Sequence, residues 1–498
     1  MAFESILDLK HSTYREMSRA VFSLDLNLNQ IMEQINQLWG EDVSSLYYFP
    51  ADEECEAYRR AVFADVKKPD IYEALAAFCD RMKDRQKCLA EKQGVRADAQ
   101  KAVWHLREVH VYCCALEELD KRLKAVSPES EGLLALREDL SAYLASEEYV
   151  KMHEPAQKLA KELFDIRVTI TYENNQIVVS DCASDRTYEK FLREGFPEHK
   201  ADFHSPFMTY RELTPLESEV MKVLAKKRPD FFKQLMSFYK NDQKYAAERY
   251  VQLNREAAYY LSFVKFLNKM KGRGFLFTTP RTCERSGFRA QGLYDLALAC
   301  VNMQTNKPVV SNDFDYREGE QFFVLTGPNQ GGKTTFARSL GQLIYFSKLG
   351  FDVPAAVAHV PYFKHILTHF SVEESLETGR GKLKEELARL APMMDSVYEN
   401  TFVIINELFT TAANYDACIM GKNVLEHFIG QNCMGIYVTH LKELTTAHEK
   451  VVSLRAMLDE NRVQCFKIVR GEADDSACAI NQVNKYKLTY EQLKERLS

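Results

Sequence analysis

The stretch that most constrains the fold runs from residue 322 to 340. Phe322-Phe323-Val324-Leu325 is an apolar run of strand length, and Thr326-Gly327-Pro328-Asn329-Gln330-Gly331-Gly332-Lys333-Thr334-Thr335 follows it. Phe336-Ala337-Arg338-Ser339-Leu340 then reads as helix. A buried strand, G-x-x-x-x-G-K-T and a helix, in that order, make a phosphate-binding loop. Gly327, Gly331 and Gly332 let the backbone turn its N–H groups toward a polyphosphate. Lys333 reaches the β/γ-phosphates, and the Thr334 hydroxyl can sit on Mg²⁺. With Pro328, Asn329 and Thr335 completing the loop, the chain is expected to bind a nucleoside triphosphate.

At 498 residues the chain is too long for one core, so two to four domains are expected. A net charge of −6 argues against holding nucleic acid by bulk charge alone, though not against a local basic surface. The twelve cysteines contain no C-x-x-C, which fits reduced thiols in a cytosolic protein better than a disulfide framework or zinc site. Met1-Ala2-Phe3-Glu4-Ser5 lacks the blocks of a signal peptide, and no uncharged apolar stretch approaches membrane-spanning length. A cytoplasmic protein with no membrane contact is expected.

Glycine marks the main boundary. Only Gly40, Gly94, Gly132 and Gly195 precede residue 271, out of twenty in the chain. Residues 1–273 are therefore expected to form a mainly helical domain with few tight turns, and residues 274–498 an α/β domain. Ala99, Ala102, Val103, Leu106, Val109, Cys113, Leu116, Leu119 and Leu123 recur at the spacing of one helical stripe. Residues 231–270 contain neither Gly nor Pro; as a single helix they would be a rod of roughly 60 Å. Between these, alternation at Ile166, Val168, Ile170 and Tyr172, then Asn174-Asn175 and Ile177-Val178-Val179, predicts a β-hairpin at about 166–179. After Gly272, strands at 322–325, 402–405 and 435–438 alternate with helices at 334–349, 382–397 and 416–429. This is the pattern of a largely parallel sheet.

Two further strand ends carry chemistry. Val403-Ile404-Ile405 runs into Asn406-Glu407, placing polar residues at the carboxyl end of a central strand, where open α/β sheets bind ligands. Asn406 can hydrogen-bond Thr334 or a Mg²⁺-bound water but brings no charge, and Glu407 is the candidate general base. Ile436-Tyr437-Val438 ends in Thr439-His440, and His440 is a candidate γ-phosphate sensor. His359, His365 and His369 have no carboxylate or cysteine pattern around them and are not read as a metal site.

These residues together resemble the MutS family of DNA mismatch-repair ATPases. Gly327-Pro328-Asn329 before the second glycine pair is distinctive, and Gly350-Phe351-Asp352-Val353-Pro354-Ala355 is similar to that family's G-x-x-V-P-A. Thr378-Gly379-Arg380 with Glu386, Glu407 with Tyr415-Asp416, and Thr439-His440 with Glu443-Leu444 continue the likeness, over about residues 275–498. The resemblance implies an ABC-type ATPase domain using ATP and Mg²⁺, preceded by a helical lever domain and acting on DNA as a head-to-tail homodimer. Arg380, Gly381 and Lys382 would complete the partner's phosphate loop, and Asp416 would line the dimer face. Closure on ATP and release on hydrolysis would move the helical arms.

The chain also departs from the family pattern. Gly381-Lys382 stands where Ser-Thr is usual, Leu408-Phe409-Thr410-Thr411 where Gly-Arg-Gly-Thr is usual, and Val309 where an aromatic stacks on adenine. The family's mismatch-reading Phe-x-Glu is not seen near the start of the chain, so a truncated relative acting on branched or recombination structures is expected rather than a mismatch reader. Lys226-Lys227-Arg228 and the 269–273 cluster read as solvated helix ends. Asn406 and the altered signature keep open a nucleotide-gated scaffold or clamp that scarcely hydrolyses ATP. A P-loop kinase is a third reading, opposed by the long helical arms.

Overall fold

The computed structural model describes residues 3–8, 21–48, 52–173, 176–182, 215–241, 244–305, 307–370, 381–395, 400–459, 463–473 and 494. The chain divides into two compact units. One takes in residues 1–6 and 64–261, the other residues 7–63 and 262–498. Residues 7–63 thus belong with the P-loop unit, although glycine usage grouped them with the helical part.

The first unit is built on two long helices, Pro69–Gly94 and Asp98–Ala125, joined by a three-residue connection that turns the chain back on itself. Ala102, Leu106, Val109, Cys113, Leu116, Leu119 and Leu123 are buried along the second, the stripe its spacing predicts. Strands β1 (Val168–Glu173) and β2 (Gln176–Asp181) pair antiparallel, with Ile170 opposite Val179.

The continuous rod expected over 231–270 is instead two helices, Pro229–Asn241 and Glu248–Lys271. The break turns Tyr245 inward, where its hydroxyl donates to buried Glu108 and accepts from Arg85 Nε at 2.7 Å. The backbone N–H of Ala247, freed by the break, donates to the Tyr112 hydroxyl at 3.1 Å. Polar satisfaction in the core therefore outweighs helical continuity.

The P-loop unit holds a six-stranded sheet formed by β6 (Phe322–Thr326), β8 (His365–Phe370), β9 (Thr401–Asn406), β10 (Met434–Val438), β11 (Val451–Leu458) and β12 (Gln464–Arg470). Its order is β12-β11-β6-β10-β9-β8, parallel throughout except for β12, which runs against β11. Every residue of β6, β9 and β10 is buried, which explains continuous apolar runs in place of alternation. Phe322, Val324, Val403, Ile405 and Tyr437 share one apolar cluster with Leu425 and Phe428 of helix Asn414–Gly430. Each such side chain contributes about 1.5–3 kcal/mol relative to exposure.

A second sheet, ordered β3-β7-β4-β5, is formed by β3 (Arg281–Thr282), β4 (Arg289–Leu293), β5 (Asn312–Asp315) and β7 (Val357–Val360). Register lines up the strand ends. Leu325 lies opposite Val438, and Val438 opposite Asn406. The segments leaving β6, β9 and β10 therefore emerge along one edge.

Candidate nucleotide site

Between β6 and helix Lys333–Lys348 the chain makes a tight loop. Gly327 has φ +131°, and a Cβ there would come within 2.9 Å of Ala456 on β11. Gly332 caps the helix in the left-handed region at φ 86°, with the Phe466 ring 3.4 Å from where its Cβ would stand. Neither position admits a side chain without strain. The loop is also held from β12, where Gln464 Nε2 donates to the Asn329 carbonyl at 2.7 Å. Lys333, 4% exposed, folds its Nζ back onto the carbonyls of Gly327 at 2.9 Å and Pro328 at 2.8 Å.

The Thr334 hydroxyl donates to Asn406 Oδ1 at 2.9 Å. This brings the first polar residue after β9 to the start of the P-loop helix. The pair supplies oxygen donors only, the chemistry a hard divalent cation takes, though with one carboxylate fewer than such sites usually hold. Glu407 follows in the left-handed region at φ 52°, its N–H donating to the Val438 carbonyl at 2.9 Å. Strained backbone of this kind costs about 1–3 kcal/mol and persists where the surroundings impose it.

A cavity of about 750 Å³ joins these groups. Asn329, Gly331, Gly332, Lys333, Thr334, Thr335 and Glu407 lie along its wall. Leu293, Leu298, Lys307, Val309 and Phe466 also line it. The volume suits a nucleotide-sized ligand, and the wall offers both apolar side chains and the polar residues of the loop.

Asp295 is on the same wall. Its carboxylate caps helix Leu296–Thr305 by accepting from the N–H groups of Ala297 at 2.9 Å and Leu298 at 3.1 Å. Burial pushes this carboxyl above its usual range, against hydrogen bonds from Gln342 and Leu298.

The other expected residues lie elsewhere. His440 is exposed just beyond β10 and is not part of the cavity wall, whereas Thr439 is buried and its hydroxyl accepts from the N–H of Leu441 at 3.1 Å. Asp416 stands exposed in the first turn of helix Asn414–Gly430, between Tyr415 (77% exposed) and Ile419 (45%). Gly381 is the N-cap of helix Lys382–Met394, its carbonyl accepting from Lys384 at 2.9 Å. Arg380 lies outside the described residues, and of Lys382 only the backbone is described.

Phe466, Lys307 and Asp295 were not foreseen. Asp295 before Leu296 carries an N-cap signal that could have been read. Phe466 sits on a strand far along the chain, and nothing local marks it.

Residues 323–485 match the family model for MutS domain V. The chain is 25% identical over 225 residues to the DNA mismatch repair protein spellchecker 1 of Drosophila melanogaster, covering 45% of this chain and 24% of that protein. It is 30% identical over 186 residues to the DNA mismatch repair protein MutS of Rhizobium meliloti, covering 36% of this chain and 20% of that one. A similar protein of Chlamydia trachomatis, also a DNA mismatch repair protein MutS, is 27% identical over 196 residues, 37% of this chain and 24% of its own length. The chain thus spans about a quarter or less of the length of these curated relatives.

Proposed function

We propose, from the match of residues 323–485 to MutS domain V, that this chain is a MutS-family ATP-dependent DNA-binding protein in which ATP binding and hydrolysis drive closure of a homodimer. The observation that carries the reading is the convergence of Lys333, Thr334 and Glu407, from two separate strand ends, on one nucleotide-sized cavity. Gly327, Pro328, Asn329, Gly331, Gly332 and Thr335 cradle the phosphates. Lys333 meets the β/γ-phosphates once it leaves its two carbonyls. Val309, on the wall of the same cavity, is the residue proposed to lie against the base.

Thr334 and Asn406 are the residues that would hold Mg²⁺, which would supply neutralisation of phosphate charge. Glu407 accepts the proton of the attacking water, a role supported by its position on the cavity wall just past the end of β9. His440 reaches the γ-phosphate from the rim when the site closes.

Arg380, Gly381 and Lys382 act on the partner's phosphates, supported by the helix N-terminus at Gly381. The exposed Tyr415, Asp416 and Ile419 support a face that a second copy covers. Branched or recombination DNA is the favoured substrate. The neutral Asn406 favours a second reading, a clamp that closes on ATP with little hydrolysis.

Mg-ATP turnover and ATP binding, measured with and without linear or branched duplex DNA, test both. DNA-responsive turnover with binding lost in Lys333→Ala supports the coupled ATPase. Binding and dimerisation without turnover supports the clamp, and absence of ATP binding in the unaltered chain sinks both.

A further inference from the structure

Helix Val21–Asp25 ends where three parts of the candidate site meet. Arg338, on the helix that starts at Lys333, donates from Nε to the Asp25 carbonyl at 2.9 Å and lies 5.5 Å over the Phe370 ring. The Asp25 carboxylate accepts the Thr368 hydroxyl at 2.7 Å. The same oxygen faces Arg389 Nη2 at 3.4 Å, and Arg389 also donates to the Phe370 carbonyl at 2.9 Å. Arg389 belongs to helix Lys382–Met394, the one that begins at Gly381.

One residue on, the Leu26 carbonyl accepts from Gln342 Nε2 at 3.0 Å, and Gln342 also donates to Asp295 at 2.9 Å. Leu26 lies so close to Gly341 that a Cβ there would come within 2.4 Å of it. Residues 25 and 26 therefore touch the P-loop helix at Arg338, Gly341 and Gln342, the cap of the cavity wall through Gln342, and helix Lys382–Met394.

That helix has a second tie to the site. Glu386, one turn before Arg389, accepts the N–H of Phe409 at 3.1 Å, two residues beyond Glu407. A helix moves as a unit, so any shift of the P-loop helix that accompanies phosphate binding would reach Arg338 and Gln342 together. The Asp25–Arg389 contact is at the long end of hydrogen-bond range, where a shift of a few tenths of an ångström makes or breaks it.

Resting on the nucleotide reading above, we infer that Asp25 is a positioning residue that couples occupancy of the cavity to helix Lys382–Met394, acting through Arg338 and Arg389. Its charge is the element that matters. Asp25→Asn keeps the shape and an acceptor for Thr368 but removes the anionic partner of Arg389.

The test is amide hydrogen exchange of residues 382–394 in the full chain, with Mg²⁺ and with or without a non-hydrolysable ATP analogue. The dissociation constant and melting temperature are measured alongside. In the unaltered chain the analogue is expected to slow exchange across this helix about threefold or more. Asp25→Asn is expected to abolish that slowing while the dissociation constant stays within about threefold, and Asp25→Glu to recover part of it.

An unchanged response in Asp25→Asn overturns the inference and leaves the nucleotide reading intact. So does parallel loss of affinity and melting temperature, the mark of a merely structural residue. If Asp25→Asn does not fold, Arg389→Gln severs the same contact from the other side and is judged by the same outcomes. An unaltered chain that fails to bind the analogue overturns the nucleotide reading and this inference together.

Discussion

Glu108 in the helical unit and Glu407 in the P-loop unit are the same side chain in opposite settings. Glu108 is 1% exposed, with Lys92 and the Tyr245 hydroxyl donating to it and Arg85 and His105 alongside. Glu407 is half-buried, its backbone is held in an unfavourable region, and among the described residues no hydrogen bond reaches its carboxylate. A buried carboxylate held by donors on both oxygens fixes a core. One on the wall of a cavity is placed to meet something that enters. The contrast supports a stabilising role for Glu108 and the proposed chemical role for Glu407 without reference to sequence likeness.

The widest test of that comparison neutralises each in turn. Glu407→Gln is expected to lower ATP turnover by about 10²- to 10⁴-fold, the range for loss of a general base, with the melting temperature unchanged. Glu108→Gln is expected to leave turnover per folded molecule intact and to cost about 3 kcal/mol of stability in denaturant melts, because Lys92 and Arg85 lose their buried partner. Turnover lost in Glu108→Gln preparations that remain folded would erase the distinction.

Acid sharpens it. Burial alone would raise the Glu108 carboxyl, but hydrogen bonds from His105, Lys92 and Tyr245 overcome this and hold it at about 2, against an ordinary 4.5. The unfolded chain therefore takes up this proton first as pH falls. The contribution of Glu108 is complete above about pH 4.5 and disappears as pH drops through about 2. A shift of that size corresponds to on the order of 3 kcal/mol. The stability gap between the unaltered chain and Glu108→Gln should be flat near neutrality and close across this window. A gap that persists to the acid end would mean that packing, not charge, makes Glu108 valuable.

What could be read in the sequence follows the range of the interactions involved. The phosphate loop, the three buried strands and the polar residues at the ends of β9 and β10 were legible. A parallel strand buried on both faces leaves an unbroken apolar run, and the next polar residue marks its carboxyl end. The break at 241–248 was not. The apolar pattern continues through it, and the reason for breaking is Glu108, more than a hundred residues earlier in the chain. Phe466 and Asp25 were missed on the same ground, since each meets the site through contacts formed only when distant segments pack. Asp295 lies between these cases, a local N-cap signal whose second role, the hydrogen bond from Gln342, is tertiary.

The smallest effect concerns the residue that separates an ATPase from a clamp. Asn406 is 6% exposed, and its Oδ1 accepts the Thr334 hydroxyl at 2.9 Å, so the pair is satisfied without net charge. Asn406→Asp puts an anion at that position. Without a cation, a buried carboxylate there is poorly solvated, and the melting temperature should fall slightly. With Mg²⁺ present the added charge attracts the ion by about 1 kcal/mol beyond the desolvation cost, near the lower end for close charges in protein surroundings. The Mg²⁺ concentration at half-maximal turnover should then fall about fivefold, and the melting temperature should rise on adding Mg-ATP by more than in the unaltered chain. If Asn406→Asp instead responds to Mg²⁺ like the original, the ion does not sit between Thr334 and residue 406. The neutral asparagine would then carry no weight in favour of a clamp.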